Sequence, residues 1–428
     1  MIGNLDHRHR EATVIGAGIS GLMAAYTLKR QGFKVRVFDS ASRPGGLIRT
    51  RATLFGPAET AAHSLMVNQS VSRFFSDLGV KLVPVSQGST ARYIYRNGKM
   101  RRNPLTWWES LVTLRRLFSR PTTLIDPNRA SLADWTRAYL GEAVLRNLLA
   151  PFVTGVYAAT PEELCLSIAF PTLIPVDPRR SLFWNLRASR KMRGIQENAR
   201  PTMMTPEKGL GSVISKLADH LGSDLVLNHR IETLPDTPNL IVSVPPLELA
   251  RLIEPTDPSS ALALKALKAS PLVSVTAFAR KEDFKNGPPR GVGVLIPRNE
   301  GLRILGVLFN SSSFPERVLN PDTVSMTVML GGTTDPGALD LADDEVVNLI
   351  TRELGSLLGL RGQLLHWETT RWTSAIPLYS EALIEARTLL LKGFCSSPGR
   401  VVFSNFSKDV SIRGMIESLR HLHPSTHP

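Results

Sequence analysis

Four residues near the amino terminus have the types and the spacing that hold a dinucleotide. Gly16, Gly18 and Gly21 stand in a GxGxxG pattern, and Asp39 follows them further along the chain. In this pattern the first glycine permits a tight turn, the second lets a pyrophosphate approach the backbone, and the third lets a helix pack closely on a strand. The acidic side chain can accept hydrogen bonds from both hydroxyl groups of a ribose. These residues therefore indicate chemistry that depends on a bound dinucleotide.

The surrounding segments predict the elements that would position these residues. ATVIGAG from Ala12 predicts a buried strand, ISGLMAAYTLKRQG predicts a helix that ends at Gly32, and KVRVFD from Lys34 predicts a second strand. Because the helix would begin inside the glycine loop, its free N–H groups would face the phosphates. An isolated glycine pattern is weak evidence, since any tight turn between a strand and a helix favours glycine. Here the strand, helix, second strand and terminal acid occur together, which favours a binding site.

A second glycine-rich loop, SRPGGLIRT, follows the acid directly. Its Arg43, Gly45, Gly46 and Arg49 would expose backbone amides and cations to phosphate groups. Nicotinamide enzymes do not usually carry such a loop. The whole stretch resembles the FAD-binding signature of the amine oxidase and protoporphyrinogen oxidase superfamily, and this resemblance implies that the cofactor is FAD.

Further segments extend the resemblance from about residue 12 to about residue 420. They are ARYIYRNGKMRRNPLTW, PFVTGVYAATPEELCLSIAFP, GVGVLIPRNEGLRILGVLFNSSSFPER, VMLGG and AIPLY, in this order. Together they are similar to the protoporphyrinogen oxidase family. Because some of these segments have no role in holding FAD, the resemblance is more specific than the glycine pattern.

The resemblance implies where a tetrapyrrole would bind. It places Arg92 opposite a substrate propionate, which a guanidinium can hold with two parallel hydrogen bonds. It places Gly155 where the backbone faces the tetrapyrrole, and Val292 and Leu295 in an apolar part of the pocket. From the residues alone, Arg92 can equally be a solvated charge on a strand edge, and the two apolar side chains can be ordinary core.

The resemblance also implies cofactor contacts further along the chain. Ile231 stands where the family has an aliphatic residue beside the adenine. The closing RVVFSNFSKDVSIRGMIESLR resembles the last FAD motif, in which amides at the start of a helix approach the flavin. In this chain those are the amides of Val410, Ser411 and Ile412.

The chain departs from the family at three places. Only PDTPN separates HRIETL from IVSVPP, where the family usually has a small β-meander, and SEALIEA follows AIPLY, where a Gly-His pair is common. Ser404 and Asp409 replace glycines of the last FAD motif. A carboxylate at Asp409 would lie near the flavin and lower its reduction potential. These departures keep open a porphyrin-binding or assembly protein without turnover.

The segment RRNPLTWWESLVTLRRLFSR, residues 101–120, predicts a basic amphipathic helix, because Leu111, Leu114 and Phe118 share helical spacing. Two interpretations stay open. The apolar stripe could pack into the core, or the helix could lie on an anionic membrane leaflet. Further on, Ser131 with Asp134 and Thr160 with Glu163 stand in the spacing of a capping box, which predicts two helix starts.

Composition limits the class of protein. The chain has 428 residues, 43% of them hydrophobic and 21% charged, and a formal net charge of +14. Positive charges are spread along the chain without an aromatic RNA-binding signature, so an anionic membrane or a substrate with several carboxylates is favoured over nucleic acid. Cys165 and Cys395 stand alone, which predicts neither disulfides nor a metal site.

These features predict a cytoplasmic protein. Peripheral attachment to the inner face of the cytoplasmic membrane is compatible with this prediction. The first apolar run begins at Ala12 and continues into the glycine loop, which leaves no room for a cleavable signal peptide. No apolar run reaches the roughly 18 to 20 residues that a membrane-spanning helix needs. A homodimer is compatible with the sequence.

The predicted fold class is α/β (α+β), with a Rossmann-type FAD-binding domain interleaved with an antiparallel-sheet substrate domain and a helical insertion. The FAD-binding domain would comprise residues 1–90, 205–255 and 385–428, the helical, membrane-associating insertion 91–204, and the substrate domain 256–384.

The resemblance implies that the protein oxidises a porphyrinogen, either protoporphyrinogen IX or coproporphyrinogen III, to the porphyrin in haem biosynthesis. Six electrons would be removed, with oxygen as acceptor and hydrogen peroxide as product. No catalytic side chain is expected, because the flanking pyrroles activate the meso C–H bond and the protein supplies position around the flavin. An amine oxidase or desaturase acting on another substrate is the alternative enzyme.

Overall fold

The computed structural model describes residues 1–126, 129–193, 201–408 and 410–422. In chain order its strands are β1 (Glu11–Ile15), β2 (Lys34–Phe38), β3 (Thr50–Ala52), β4 (Pro57–Glu59), β5 (Leu65–Val67), β6 (Leu82–Pro84), β7 (Arg92–Arg96), β8 (Lys99–Arg101), β9 (Thr202–Pro206), β10 (Leu225–Val226), β11 (Leu240–Val242), β12 (Ala269–Arg280), β13 (Gly293–Leu295), β14 (Gly306–Leu308), β15 (Thr323–Gly331), β16 (His366–Pro377) and β17 (Arg400–Val402).

Helices connect these strands. They are α1 (Ile19–Arg30), α2 (Gln69–Asp77), α3 (Trp107–Phe118), α4 (Leu132–Tyr139), α5 (Glu142–Val144), α6 (Ala150–Tyr157), α7 (Leu166–Ala169), α8 (Leu182–Arg193), α9 (Gly211–Leu221), α10 (Pro246–Ile253), α11 (Pro258–Lys265), α12 (Asn310–Ser313), α13 (Asp343–Leu358), α14 (Glu381–Lys392) and α15 (Ile412–Ser418). A π-helical stretch, Leu145–Leu149, joins α5 to α6. No described helix is both long enough and apolar enough to cross a bilayer.

A five-stranded parallel sheet with the order β10-β2-β1-β11-β17 forms the first domain. Its strands come from three separate parts of the chain, as the interleaved domain requires. β1 pairs in parallel with β2 across α1, whose Leu22 and Met23 are fully buried. The helix ends before Gly32, whose φ of 83° lets the chain turn into β2. The predicted β-α-β unit and Rossmann-type fold are confirmed.

A seven-stranded sheet with the order β16-β12-β15-β14-β13-β7-β8 forms the second domain. Its neighbours are antiparallel except for β7 and β13, which are parallel. One face packs under α13, where Val346, Ile350 and Leu354 are fully buried against Val294 and Val307. The hairpin of β7 and β8 therefore belongs to this sheet, although it lies within the segment predicted as a helical insertion. The division of the chain into five segments stays a prediction.

Helices α3 to α8 lie between β8 and β9 in the chain. The capping box predicted for Ser131 and Asp134 begins α4, and Thr106 and Glu109 form a second one at α3. Two hydrogen bonds of 2.7 and 3.0 Å from Arg96, together with the Thr106 amide, lower the pKa of Glu109 to about 2. Since Arg96 ends β7, this pair fastens the start of α3 to the second sheet.

A buried ion pair joins the two domains. Arg317 and Glu59 are 2.8 Å apart, with side-chain exposures of 5% and 2%. Glu59 ends β4 and also accepts hydrogen bonds from the Thr50 hydroxyl and from the Leu210 amide, at 2.7 and 3.0 Å. Arg317 also donates to the carbonyl of His63, at 3.3 Å. The Glu59 carboxylate and the Arg317 guanidinium thus have protein hydrogen-bond partners in place of water, as burial of charge requires.

We expect Arg317→Met to lower the free energy of unfolding by about 3 to 5 kcal/mol, because it leaves the Glu59 carboxylate buried without its cation. The control is Arg51→Met, which breaks a more open pair with Glu368, where the exposures are 34% and 28%. That loss should stay below about 1 kcal/mol. Urea unfolding of both variants measures the difference. Equal losses would mean that the buried pair does not hold the domains together.

Candidate active site

The first glycine loop has the geometry that a dinucleotide site needs. Gly16 has a φ of 102°, and a β-carbon there would lie 2.4 Å from the Ser243 carbonyl oxygen. A β-carbon at Gly21 would lie 2.0 Å from the Gly16 carbonyl oxygen, whereas one at Gly18 would meet no atom within 4 Å. The outer glycines are therefore needed by the fold itself. Gly18 instead presents open backbone on the side where a pyrophosphate would approach.

Asp39 lies at the end of β2 beside this loop. Its two carboxylate oxygens accept hydrogen bonds from the amides of Ala17 and Ala41, at 2.6 and 2.8 Å. The carboxylate is thus fixed against the glycine loop by two backbone donors, and each oxygen keeps acceptor capacity for a ribose hydroxyl. The ribose contact stays a prediction. The backbone contacts also give Asp39 a structural role that the sequence did not indicate.

The second glycine-rich loop lies directly against the first. Gly45 forms a parallel bridge with Gly18, and its amide donates to the Ala17 carbonyl at 2.7 Å. On its other side, Arg43 and Arg49 line a cavity of about 580 Å³. Lys208 and the hydroxyl-bearing Thr50, Ser212 and Ser215 also line this cavity. Three cations and several hydroxyl groups beside the paired loops suit a phosphate-bearing ligand.

Two hydroxyl groups at the carboxyl edge of the parallel sheet were not predicted as site residues. Ser243 follows β11 and Ser404 follows β17, the two strands beyond β1. Both Oγ atoms are shielded from solvent and have no hydrogen-bond partner among the described residues. Buried hydroxyl groups normally find a partner. Because ligands of such sheets bind at the carboxyl edge, the two orphan groups fit a bound dinucleotide. A serine directly after a buried apolar strand is the sequence signal that could have indicated them.

The C-terminal loop leads into α15 beside the same sheet. The amide of Val410 donates to the Tyr379 hydroxyl at 2.6 Å, so a protein oxygen already takes the hydrogen bond that we predicted for the flavin. Ser411 caps α15 by accepting from the Gly414 amide at 3.1 Å, and Ile412 begins the helix. Contact of these amides with the flavin stays a prediction. Asp409 lies outside the described residues.

Ile231 lies near the Asp39 side of the cofactor domain. Two residues before it, the His229 amide donates to the Asp39 carbonyl at 2.9 Å, and Asn228 donates to Ala41 at 3.0 Å. Ile231 itself is half-buried and packs against the core. Its segment therefore runs past the residue predicted to hold the ribose, which is compatible with the predicted adenine contact.

The four residues predicted to bind substrate lie close together. Arg92 pairs with Gly293 in the parallel register of β7 and β13, and the Val292 amide donates to the Ala91 carbonyl at 2.7 Å. A β-carbon at Gly155 would lie 2.3 Å from Leu295 Cδ2. Three distant segments thus meet at one place on the second sheet. The close contact shows that Gly155 permits packing of α6 on Leu295, and its predicted contact with a tetrapyrrole remains untested.

This substrate face is the side of the second sheet that faces away from α13. Side chains alternate along β7 and β13, so Arg92 and Leu295 share a face, whereas Tyr95 and Val294 point into the core under α13. The cofactor domain contacts the same sheet through an ion pair between Arg51 and Glu368 at 3.0 Å. The predicted substrate residues therefore lie at the seam between the two domains.

The apolar stripe of α3 does not pack into the core. The interpretation that predicted such packing is wrong, because no residue of α3 is buried. The helix exposes large apolar side chains, namely Trp107, Trp108, Leu111, Val112, Leu114 and Phe118. Phe118 contacts Phe183 of α8 at a ring distance of 4.8 Å, and Phe183 and Leu186 extend the apolar surface. We call the exposed apolar surface of α3 and α8 the two-helix patch.

Comparisons with known proteins agree with this geometry. Residues 19–388 match the family model described as flavin containing amine oxidoreductase. Protoporphyrinogen oxidase 2, chloroplastic/mitochondrial, of Arabidopsis thaliana is 27% identical over 96% of this chain and 92% of that protein. Coproporphyrinogen III oxidase of Bacillus subtilis (strain 168) is 21% identical over 86% of this chain and 87% of that protein. The structure of cyclohexylamine oxidase from Brevibacterium oxydans IH-35A is 16% identical, with a TM-score of 0.64 over 96% of this chain and 100% of that one.

The paired glycine loops on a parallel sheet and the second sheet beside them define a flavoprotein oxidoreductase of two interleaved domains. The chain belongs to the flavin containing amine oxidoreductase family, and FAD is its cofactor. Residues of both glycine loops, Asp39 and the serines at the carboxyl edge are those that would hold it. The predicted family, enzyme class and cofactor are confirmed.

We expect substitution of the middle and of the last glycine of the first loop to have different effects on FAD binding and on stability. Gly18→Ala meets no protein atom, so unfolding of the flavin-free protein should change by less than about 0.5 kcal/mol. Its methyl group should obstruct the pyrophosphate and weaken FAD binding about tenfold or more, which is about 1.4 kcal/mol. Gly21→Ala should destabilise the flavin-free protein by about 1 to 3 kcal/mol, because of the close contact with Gly16.

Flavin titration and thermal unfolding of the flavin-free variants separate these effects. If Gly18→Ala binds FAD as tightly as the unaltered protein, the pyrophosphate does not approach the backbone at Gly18.

Proposed function

We propose that this protein oxidises a porphyrinogen to the corresponding porphyrin. The observation that carries the proposal is the convergence of Arg92, Gly155, Val292 and Leu295 at the domain seam. These residues come from three segments of the chain, and their proximity was expected only from the resemblance to porphyrinogen oxidases. The relatives named as protoporphyrinogen and coproporphyrinogen III oxidases support the same substrate class.

The proposed reaction needs no side chain that acts as an acid, a base or a nucleophile. A porphyrinogen meso carbon lies between two pyrroles, which stabilise positive charge as its C–H bond breaks. FAD, when bound, supplies the two-electron acceptor, and oxygen restores it with release of hydrogen peroxide. Three such rounds convert one porphyrinogen and three oxygen molecules into one porphyrin and three hydrogen peroxide molecules. The protein must hold the macrocycle flat against the seam and turn each meso carbon toward the cofactor domain.

The substrate face suits these requirements. Leu295 and Leu308 offer apolar contact for a macrocycle on one side of the sheet. Arg92 is exposed at the edge of this face, where its guanidinium can pair with a propionate that lies outside the apolar region. None of these three side chains exchanges a proton with the substrate. Their role is to bind and orient it.

Reduction of the protein-bound flavin by candidate substrates tests the proposal. The flavin absorbance should bleach anaerobically with protoporphyrinogen IX or coproporphyrinogen III and remain with primary amines. Porphyrin fluorescence from each porphyrinogen in air then identifies the preferred substrate. Bleaching by amines alone would assign the alternative enzyme. Bound flavin that no porphyrinogen reduces would assign a porphyrin-binding protein without turnover.

We expect Arg92→Ala to lower kcat/KM for a porphyrinogen about 30-fold, which corresponds to the loss of about 2 kcal/mol of transition-state binding. Arg92→Lys should be intermediate, because lysine keeps the charge without the two-pronged geometry. Steady-state kinetics with the free acid and with a propionate-esterified porphyrinogen measure the effect. The loss should shrink with the ester, which has no charge to pair.

Arg280→Ala is the matched control, because Arg280 is exposed at the end of β12 in the same sheet. It should keep the kinetics of the unaltered protein. If Arg92→Ala lost equal activity with the acid and with the ester, Arg92 would be a solvated charge on the strand without a propionate partner.

We also propose that the two-helix patch attaches the protein to an anionic membrane leaflet, which would place it on the inner face of the cytoplasmic membrane. Trp107 and Trp108 are 66% and 60% exposed, and their rings stack at a distance of 4.0 Å. Soluble proteins rarely leave a contiguous apolar surface of this kind uncovered. Arg115 and Arg116 on α3 add positive charge beside it. Apolar burial and Coulomb attraction together are the features of helices that lie in a membrane interface.

We expect the protein to bind vesicles that contain anionic lipid and to be released as salt rises, because salt screens the arginines. Trp107→Ser with Trp108→Ser should weaken this binding, since it removes apolar surface that enters the interface. Trp367→Ser is the control, because Trp367 is an exposed tryptophan on β16 of the second sheet. Vesicle sedimentation measures binding. Equal binding to neutral and anionic vesicles, or none to either, would contradict the proposal.

A further inference from the structure

His63 lies at the seam between the domains, in a segment that the sequence did not indicate as functional. Its backbone is fixed, because its carbonyl accepts hydrogen bonds from Thr205 at 2.9 Å and from Arg317 at 3.3 Å. The residue as a whole is half-buried, but its Nε2 atom is shielded from solvent and has no hydrogen-bond partner among the described residues. A buried polar atom held this firmly without a partner indicates a ligand atom or water that completes it.

Neighbouring hydrogen bonds favour one tautomer of the His63 ring. Asn310 Nδ2 donates to Thr327 Oγ1 at 2.9 Å, so this hydroxyl oxygen is already an acceptor. Its own proton can then be donated to His63 Nδ1, which lies 3.4 Å away. When the Thr327 hydroxyl donates to Nδ1, the neutral ring carries its proton on Nε2, and this is the tautomer on which the inference rests.

The ring is neutral at neutral pH. Burial, together with repulsion from the Arg317 guanidinium, lowers the pKa of His63 to about 3. The Arg317 guanidinium also pairs with the Glu59 carboxylate, at 2.8 Å. His63 thus offers one uncharged N–H donor at the seam and has little capacity as an acid or a base.

The space beside the ring indicates what this donor meets. His63 lines a cavity of about 20 Å³ together with Val292, Asn310 and Arg317. This volume holds about one oxygen atom or water molecule. The partner must accept a hydrogen bond. The inner edge of a porphyrinogen presents pyrrole N–H donors, which a donor does not match, and its propionates are those that Arg92 would pair with in the proposed function. A flavin ring presents carbonyl oxygens, which can accept the hydrogen bond.

The covalent chain also ties His63 to the cofactor domain. Thr60, three residues earlier, donates to the carbonyls of Leu47 and Arg49 in the second glycine-rich loop, at 2.7 and 3.2 Å. Val292 on the other side of the cavity belongs to the predicted substrate segment. A flavin held by one domain and reacting with a substrate on the other must present its ring system at this seam.

We propose that His63 donates a hydrogen bond from Nε2 to a carbonyl oxygen of the bound flavin and thereby raises its reduction potential. Reduction adds electron density to the flavin, and the donor stabilises that density more than it stabilises the oxidised ring. His63 is a positioning and tuning residue rather than an acid or base. The inference rests on FAD as the cofactor and is independent of the substrate proposed above.

The test is the reduction potential of the flavin in the holoprotein, measured anaerobically against a reference dye without any porphyrinogen. His63→Leu fills a similar volume without a donor. It should weaken binding of reduced relative to oxidised flavin about tenfold, which lowers the potential by about 30 mV for two electrons. It should also shift the visible absorption bands of the bound flavin. His63→Gln restores an N–H donor and should recover most of the potential.

His366→Leu is the matched control. His366, at the start of β16 in the second sheet, is also half-buried. It packs against Phe55 and contacts Glu368, and its loss should leave the potential unchanged. An unchanged potential in His63→Leu with a raised KM for porphyrinogen would assign the donor to the substrate and overturn the inference. An unchanged potential with only a lowered unfolding temperature in both His63 variants would also overturn it. Failure to oxidise porphyrinogens would contradict the proposed function, but the reduction potentials would still test the role of His63.

Discussion

The buried pair of Arg317 and Glu59 is the interaction on which the arrangement of the two domains depends. Neither charge can be left without the other, because removing a single partner from a dry site costs far more than the pair gains. Glu59 holds the loop before α9 through the Leu210 amide, and Arg317 holds the segment around His63. One ion pair therefore fixes the cavity beside the second glycine-rich loop and the small cavity at the seam relative to each other.

One strand pair of the second sheet brings together the residues that are predicted to bind substrate. β7 comes early in the chain and inserts beside β13 in parallel, although every other neighbouring pair described in this sheet is antiparallel. This register brings Arg92 alongside Gly293, and α6 reaches the same place through the close contact of Gly155 with Leu295. The substrate face is thus built from parts that would be far apart without the sheet, which allows the cofactor domain and the substrate domain to be interleaved rather than sequential.

Local sequence patterns predicted much of this structure because their physical causes are local. The glycine spacing requires a tight turn and close packing wherever it occurs, and the apolar periodicity of the first forty residues predicted the β-α-β unit. The resemblance of the two glycine loops to the family's FAD-binding signature implied the cofactor. The resemblance to porphyrinogen oxidases added the substrate residues. A capping box depends on residues three apart, so Ser131 and Asp134 predicted the start of α4. The same pattern failed at Thr160, where the chain forms a turn and α7 begins only at Leu166. There Glu163 also accepts from the Thr333 hydroxyl at 2.6 Å, a contact that local spacing does not reveal.

The sequence by itself indicated the family, because the glycine loops depend on residue types at short fixed distances, and the resemblance to that family implied the cofactor and most of the candidate site residues. Only the tertiary structure decided which buried groups have partners. It showed that α3 leaves its apolar stripe outside the core and that the Tyr379 hydroxyl accepts from the Val410 amide. It also showed that His63 and Ser404 have buried polar atoms with no partner in the part of the chain that the structure describes. Whether a side chain is buried, and what it meets there, depends on residues hundreds of positions away. Such long-range burial leaves no periodic trace in the sequence, and it decides where the charges and donors of this site act.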